Sequence, residues 1–144
     1  MSISFNHADK KVTLTQRNAL KQFITKAVKK EGLTIKDLQY VFCSDNYLLA
    51  INRQFLDHDY YTDIISFNLS EQPKKLIGEI YISIDRVKDN AVQLKTSYSN
   101  EMLRVIFHGA LHLCGYKDKT KADIAMMRSK EDYYLARYLK TIKG

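Results

Sequence analysis

Two histidines one helical turn apart, with a carboxylate just past a glycine, make up the stretch of this chain whose residue types converge on one chemistry: His108-Gly109-Ala110-Leu111-His112-Leu113-Cys114-Gly115-Tyr116-Lys117-Asp118. At about 100° per residue, positions four apart lie about 40° apart around a helix, so His108 and His112 share a face and can converge on one ion. Gly115 marks the stop of that helix, because glycine accepts the left-handed conformation in which many helices end. Past the stop the chain can fold back, and Asp118 is the first residue with ligand chemistry that reaches the same ion. Three protein ligands, His108, His112 and Asp118, leave a fourth position for water, the pattern of catalytic rather than structural zinc. One divalent metal ion, Zn2+ on this donor set, is therefore the expected cofactor. Cys114 lies about 240° around the helix from His108 and is expected to face the core, outside the site.

The motif also lacks a part. In zinc proteases of the H-E-x-x-H type the glutamate after the first histidine is the general base, and here that position is Gly109. A zinc hydrolase acting on peptides or small molecules is therefore disfavoured, and the general base is left unassigned. Gly109 is expected to let a substrate or another backbone segment come close to the metal.

The elements that must hold these residues follow from periodicity and punctuation. Met102, Leu103, Val105, Ile106 and Phe107 make the metal helix, starting near Ser99, a buried one. A strand near Ile3–Phe5 precedes a helix opened by Thr13 and Gln16, carried by Leu20, Phe23, Ile24, Ala27 and Val28, and closed by Gly32. Leu38–Cys43 reads as a strand, Ser44-Asp45-Asn46 as a cap and Tyr47–Phe55 as a second helix. Ile64–Leu69 and Leu76–Ile84 are expected to pair as a hairpin, with Ile80, Ile82 and Ile84 on one face. Asp85 is expected to cap a short helix to about Lys95, and Thr120 with Asp123 to open a last helix bearing Ile124, Met127, Leu135 and Leu139. Tyr133, Tyr134 and Tyr138 recur at helical spacing and read as packing residues, Tyr116 sits between two ligands, His58 reads as a loop histidine with a possible part in proton transfer, and His7 carries no signal. The sum is an α+β single domain over 1–144, a roughly four-stranded mixed sheet covered by about five helices with the metal-binding helix central.

The histidine block closely resembles the signature of the YbeY family, metal-dependent endoribonucleases of ribosomal RNA maturation and ribosome quality control. Upstream, Ile51-Asn52-Arg53 with Thr62-Asp63-Ile64-Ile65-Ser66-Phe67 resembles the family's Leu-Asn…Thr-Asp-Val-Leu-Ser-Phe segment, and Ile77-Gly78-Glu79-Ile80-Tyr81-Ile82-Ser83 its Leu-Gly-Asp-Ile-x-Ile-Ser strand. The resemblance implies a single-strand endoribonuclease that processes the 3′ end of small-subunit ribosomal RNA. Ribosomal RNA, the small ribosomal subunit and its assembly factors would be the partners. Two positions depart from the family. Members commonly carry Asp-His after Gly-Tyr, where this chain has Lys117-Asp118, so Asp118 takes the third ligand's place by position and chemistry. Leu56 stands where the family usually has an arginine, and a phosphate-binding role there would pass to Arg53 or His58. The alternative is a non-catalytic ribosome-assembly factor whose metal only staples the helix to its loop. Such a closed site needs a fourth protein ligand, and the sequence offers no obvious one.

Composition sets limits on these readings. The 144 residues suit one core, and the formal net charge of +7 strengthens contact with phosphate backbones without deciding between RNA binding and a solvated basic surface. Lys117, Lys119 and Lys121 flank the metal motif and, with Arg53, are the candidate RNA contacts. No basic region followed by a long apolar run opens the chain, so no membrane association and a cytoplasmic location are expected. Cys43 and Cys114 fit reduced core thiols better than a disulfide.

Overall fold

A computed structural model of the chain describes residues 2–143. In chain order the elements are β1 (Ser2–His7), α1 (Arg17–Lys30), β2 (Thr34–Cys43), α2 (Asp45–Leu56), β3 (Ile64–Asn68), β4 (Lys75–Ser83), α3 (Ile84–Gln93), α4 (Tyr98–Leu113) and α5 (Lys121–Lys143). The sheet runs β1-β2-β4-β3, with β1 and β4 parallel to β2 and β3 antiparallel to β4. This is the expected four-stranded mixed sheet with five helices, and the β3–β4 hairpin pairs Ile64 with Ile82 and Asn68 with Gly78.

Register explains which face is buried. Ile3 pairs with Leu38 and Phe5 with Tyr40, while Tyr40 pairs with Ile80 and Phe42 with Ile82, so these side chains line one face of the sheet. A register shift between Ile35 and Asp37 inserts an extra residue, which lets both Ile35 and Leu38 turn inward. Helices α1, α4 and α5 close this face with Leu20, Ile24, Val105, Ile106, Phe107, Tyr134 and Tyr138. On the opposite face α2 builds a smaller cluster, Leu48 against Cys43 and Ile65.

Contact between α4 and the sheet is close enough to require glycine at two places. A Cβ on Gly109 would stand 2.8 Å from Ile80 Cδ1 and 3.0 Å from Ile64 Cδ1, and one on Gly78 would stand 2.6 Å from Leu113 Cδ1. Gly109 therefore admits the side chains of β3 and β4, not a substrate. That corrects the expectation for this position. The glycine serves helix–sheet packing beneath the site.

Several expected boundaries move, each because a serine or a backbone conformation one or two residues away takes over. Ser83, not Asp85, caps α3, accepting from the Arg86 N–H at 3.1 Å, so Ile84 leaves the strand face for the first helical position. Ser97 caps α4 by accepting from the Asn100 N–H at 3.0 Å, which starts that helix at Tyr98. Ser44 is the cap of α2, accepting from the Tyr47 N–H at 3.1 Å. Gln16 precedes α1 in a left-handed conformation with no side-chain cap, so neither Thr13 nor Gln16 opens that helix as expected. Thr120 and Asp123 do form the expected reciprocal box, Asp123 N–H to Thr120 Oγ1 at 3.0 Å and Thr120 N–H to Asp123 Oδ2 at 3.3 Å.

Candidate metal centre

Helix α4 carries His108 and His112 in its last two turns and ends at Gly115 as expected. Gly115 has φ 110°, its N–H donates to His112 O at 3.0 Å, and the Tyr116 N–H donates to Leu111 O at 3.2 Å, the paired closure of a left-handed helix end. The turn brings the chain back over the helix, leaving Asp118 Oδ2 3.5 Å from His108 Nε2. Two atoms bound tetrahedrally at about 2.0–2.2 Å from one zinc lie about 3.3–3.6 Å apart, so this pair has the spacing of ligands to a shared ion.

The second nitrogen of His108 is already committed. Nδ1 lies 2.5 Å from Glu131 Oε2. Burial would lift the Glu131 carboxyl, but the His108 and Arg104 cations reverse the effect and hold it below the usual glutamate range, so it accepts and Nδ1–H donates. That leaves Nε2 facing Asp118, the arrangement in which a metal-binding histidine is oriented by a carboxylate behind it. Burial likewise pulls the His108 pKa down, and Glu131, with Asp63 and Asp118 behind it, carries it above the ordinary histidine value.

Glu131 is itself held. It is 2 % exposed and accepts from Arg104 Nη1, while Arg104 Nε donates to Glu101 Oε1 at 2.9 Å and Glu101 is 1 % exposed. A buried chain of charge, Glu101–Arg104–Glu131–His108, thus ties α4 to α5. Asp63 adds a further carboxyl near His108, with its Oδ2 accepting from Asn90 Nδ2 at 3.1 Å. Burial raises its pKa, and the fields of His108 and Arg104 only partly offset that. On a chain of net charge +7, three carboxyl groups, those of Glu131, Asp63 and Asp118, act on His108, while the Arg104 and Arg128 guanidiniums both reach Glu131. The field of those three carboxyl groups favours a cation at His108.

His112 is the expected ligand that the structure does not bring to the others. Its ring is exposed one turn beyond His108. Among the described residues no three His, Cys, Asp or Glu side chains stand together as a finished metal cage. The donor set still suits a divalent ion, with one imidazole nitrogen and one carboxylate oxygen at ligand spacing and a second imidazole on the same helix. Cys114 stays outside, packed against the core with burial pushing its thiol up to about 12. Both cysteines are free thiols, as expected.

The remaining candidates sort clearly. Lys117, Lys119 and Lys121 are all exposed beside Asp118. Arg53 is exposed too, but its guanidinium is engaged by Asp59. Tyr116 points away from the site: its hydroxyl donates to Glu31 Oε1 at 2.6 Å, where Tyr134 Oη and Lys130 Nζ also converge, anchoring the base of the loop that carries Asp118. Tyr134 and Tyr138 are buried as expected, and Tyr133 packs beneath Lys30 and Arg137. His7 accepts from the Val12 N–H and packs its ring beside Phe42.

Glu131 is the functional residue that the sequence reading missed. The signal was present, since the buried stripe of α5 is Met127, Glu131, Tyr134 and Tyr138, and a glutamate on an apolar stripe asks for a buried partner. Reading the helix instead through Ile124, which is 51 % exposed, hid that stripe.

Comparison with known proteins bears on the family and the fold. Residues 2–139 match the family model described as Endoribonuclease YbeY. The chain is 51% identical over 135 residues to the endoribonuclease YbeY of Cytophaga hutchinsonii, covering 94% of each chain. It is 44% identical over 130 residues to that of Flavobacterium psychrophilum, covering 90% of this chain and 91% of that relative. A solution structure of a Thermotoga maritima protein matches at a TM-score of 0.68 with 25% identity, covering 99% of this chain and 92% of that one.

Proposed function

This chain belongs to the endoribonuclease YbeY family, and from that premise we propose that it cleaves single-stranded RNA with the help of one divalent ion, zinc by preference, held by His108, His112 and Asp118. The observation that carries the reading is the His108 Nε2–Asp118 Oδ2 spacing of 3.5 Å with Glu131 behind the imidazole. An ion held there supplies Lewis acidity to the scissile phosphate or to water.

The chain's own groups do the rest. Glu131 fixes the ring of His108 and takes up Nδ1, so that Nε2 is the nitrogen turned to Asp118 and would be the one to hold an ion, which would displace its proton. Lys117, Lys119 and Lys121 offer charge to the phosphates on either side of the bond to be broken, and their place on the Asp118 loop and at the start of α5 keeps that charge beside the site. Ribosomal RNA, matured at its 3′ end in the small subunit with the assembly factors bound there, is the substrate that the reading assigns, and the cytoplasm is the corresponding compartment. Among the described residues no helix is long and apolar enough to cross a membrane.

Metal analysis of purified variants, run beside cleavage of single-stranded RNA, tests the assignment. His108→Ala, His112→Ala and Asp118→Ala should each lose most bound metal and most cleavage, while Cys114→Ala keeps both. Full metal occupancy in Asp118→Ala would take Asp118 out of the site. Cleavage by fully demetallated protein would overturn the role of the ion.

A further inference from the structure

Between α2 and β3 the chain runs without regular structure through Asp57-His58-Asp59-Tyr60-Tyr61-Thr62. Two neighbouring tyrosines in it face solvent, Tyr60 at 55 % and Tyr61 at 49 % exposure. Their orientation is nevertheless fixed. Asn52, 1 % exposed near the end of α2, donates from Nδ2 to Tyr60 O at 2.9 Å, and its own carbonyl accepts from the His58 N–H at 3.1 Å. Asp57 turns the chain through a left-handed conformation, φ 54°. The His58 ring stacks on Tyr60 at 5.1 Å with 23° between the planes, and Tyr60 Oη meets His58 Nδ1 at 3.0 Å. Tyr61 is steadied by Arg86, whose guanidinium lies 5.3 Å from the ring centroid, and by its hydroxyl donating to Asn46 Oδ1 at 3.3 Å. A buried amide is thus committed to a loop whose two tyrosines stay about half in water, each backed on its ring by one neighbour, which is the reverse of what packing alone would select.

The loop leads directly into the site. Asp63 follows Thr62 and lies in the field of His108, and Ile64 packs against Gly109, the neighbour of His108. Its charge is not suited to phosphate, because Asp57 and Asp59 are exposed and the guanidiniums of Arg53 and Arg86 are paired with Asp59 and with Asp45. What such a loop can offer a nucleic acid is a π face. Every unpaired base presents one, whereas bases in a duplex are already stacked on each other.

We propose that Tyr60 and Tyr61, with His58 backing Tyr60, form a stacking platform for unpaired bases of the RNA entering the His108 site, and that this platform makes the protein select single strands. The proposal rests on the endoribonuclease reading for its ligand and adds a division of labour. The lysines of the Asp118 loop hold phosphates, and the tyrosine loop holds bases.

Fluorescence anisotropy with a labelled single-stranded RNA, the same strand in a duplex, and a strand of equal length with an abasic tract tests this directly, with chelator present so that the RNA stays intact. Tyr60→Ala and Tyr61→Ala should each weaken single-strand binding about 5- to 100-fold, the range of one lost base stack, and leave duplex binding unchanged. The dependence of binding on salt should keep its slope, since no phosphate contact is lost. Tyr60→Phe keeps the ring and should bind as the wild type does, whereas Tyr61→Leu keeps apolar bulk without the aromatic face and should bind as Tyr61→Ala does. Wild-type protein should hold the abasic strand no better than the alanine variants hold the intact one. Unchanged single-strand affinity in both alanine variants, equal loss on strand and duplex, or a flattened salt slope would each overturn the platform. Failure of metal-replete wild type to cut RNA that it binds in this manner would sink the endoribonuclease reading and leave the platform standing.

Discussion

His108 and His112 stand one turn apart on the same helix, and the protein treats them oppositely. His108 sits over a buried carboxylate that is itself held by an arginine and a second glutamate, so its ring has one orientation and one nitrogen to offer. His112, at the solvent-facing end of α4, has an exposed ring. Asp118 resembles His112 more than His108, being 49 % exposed on a loop anchored at its base through Tyr116. One half of the site is therefore built into the core, and the other half is carried by parts that substrate or ion can draw inward. Fixed ligands cost buried charge, and that charge is stable only while every partner is present.

The largest effect follows from removing the hub of the built half. Glu131→Ala leaves His108 and Arg104 each short of a buried anion and should lower stability by about 3–5 kcal/mol, read from urea denaturation at neutral pH. Glu131→Gln keeps an acceptor and should recover part of the loss. A change below about 0.5 kcal/mol would mean that the network is not structurally fixed.

Next in size is the packing beneath the two histidines. Gly109→Ala puts a methyl group at 2.8 Å from Ile80 Cδ1, and the overpacking should cost about 1–3 kcal/mol in the same assay. Combining it with Ile80→Val should return some of that cost, because valine lacks the Cδ1 methyl at 2.8 Å while keeping the Cγ2 methyl at 2.9 Å.

How far the sequence discloses this arrangement differs between the two halves. Helix α4, its stop at Gly115 and the hairpin beneath it are legible because each depends on local punctuation and on periods of 3.6 and 2. The His108–Asp118 approach is also legible, since a glycine stop fixes where the chain must return. Glu131 is not, because its partner lies 23 residues away and only the packing of α5 on α4 brings them together. The starts of α3 and α4 were misplaced for a smaller reason. Serine and aspartate both cap helices, and Ser83 and Ser97 took positions that the local pattern left open to either.

On the open half, the anchor of the Asp118 loop gives a pH signature. Burial alone would raise the Glu31 carboxyl, but hydrogen bonds from Tyr116 and Tyr134 and the charge of Lys130 carry it below its ordinary 4.5. A depressed carboxylate contributes stability that is present above the unfolded value and disappears as pH falls through the folded one. Wild type should therefore exceed Glu31→Gln by about 1 kcal/mol at neutral pH, and the two should draw together as pH falls below the ordinary 4.5 and through the depressed folded value. Parallel curves down to the acid transition would show that Glu31 is not ionised in this cluster.

The smallest stability effect gives the sharpest contrast between the two histidines. An exposed side chain outside any buried network contributes little to folding, so His112→Ala should unfold within about 0.5 kcal/mol of wild type. His108→Ala, which strands Glu131, should lose about 1–3 kcal/mol, the cost of leaving a buried polar group without its partner. Metal analysis of the same two preparations should nevertheless show both depleted, because an ion with three protein ligands loses much of its hold when either imidazole is removed. Equal loss of stability in the two variants would mean that His112 is packed like His108, and the division into a built and an open half would fail. If His112→Ala keeps both its stability and its metal, the ion rests on His108 and Asp118 alone, and a third ligand must come from water or from the RNA itself.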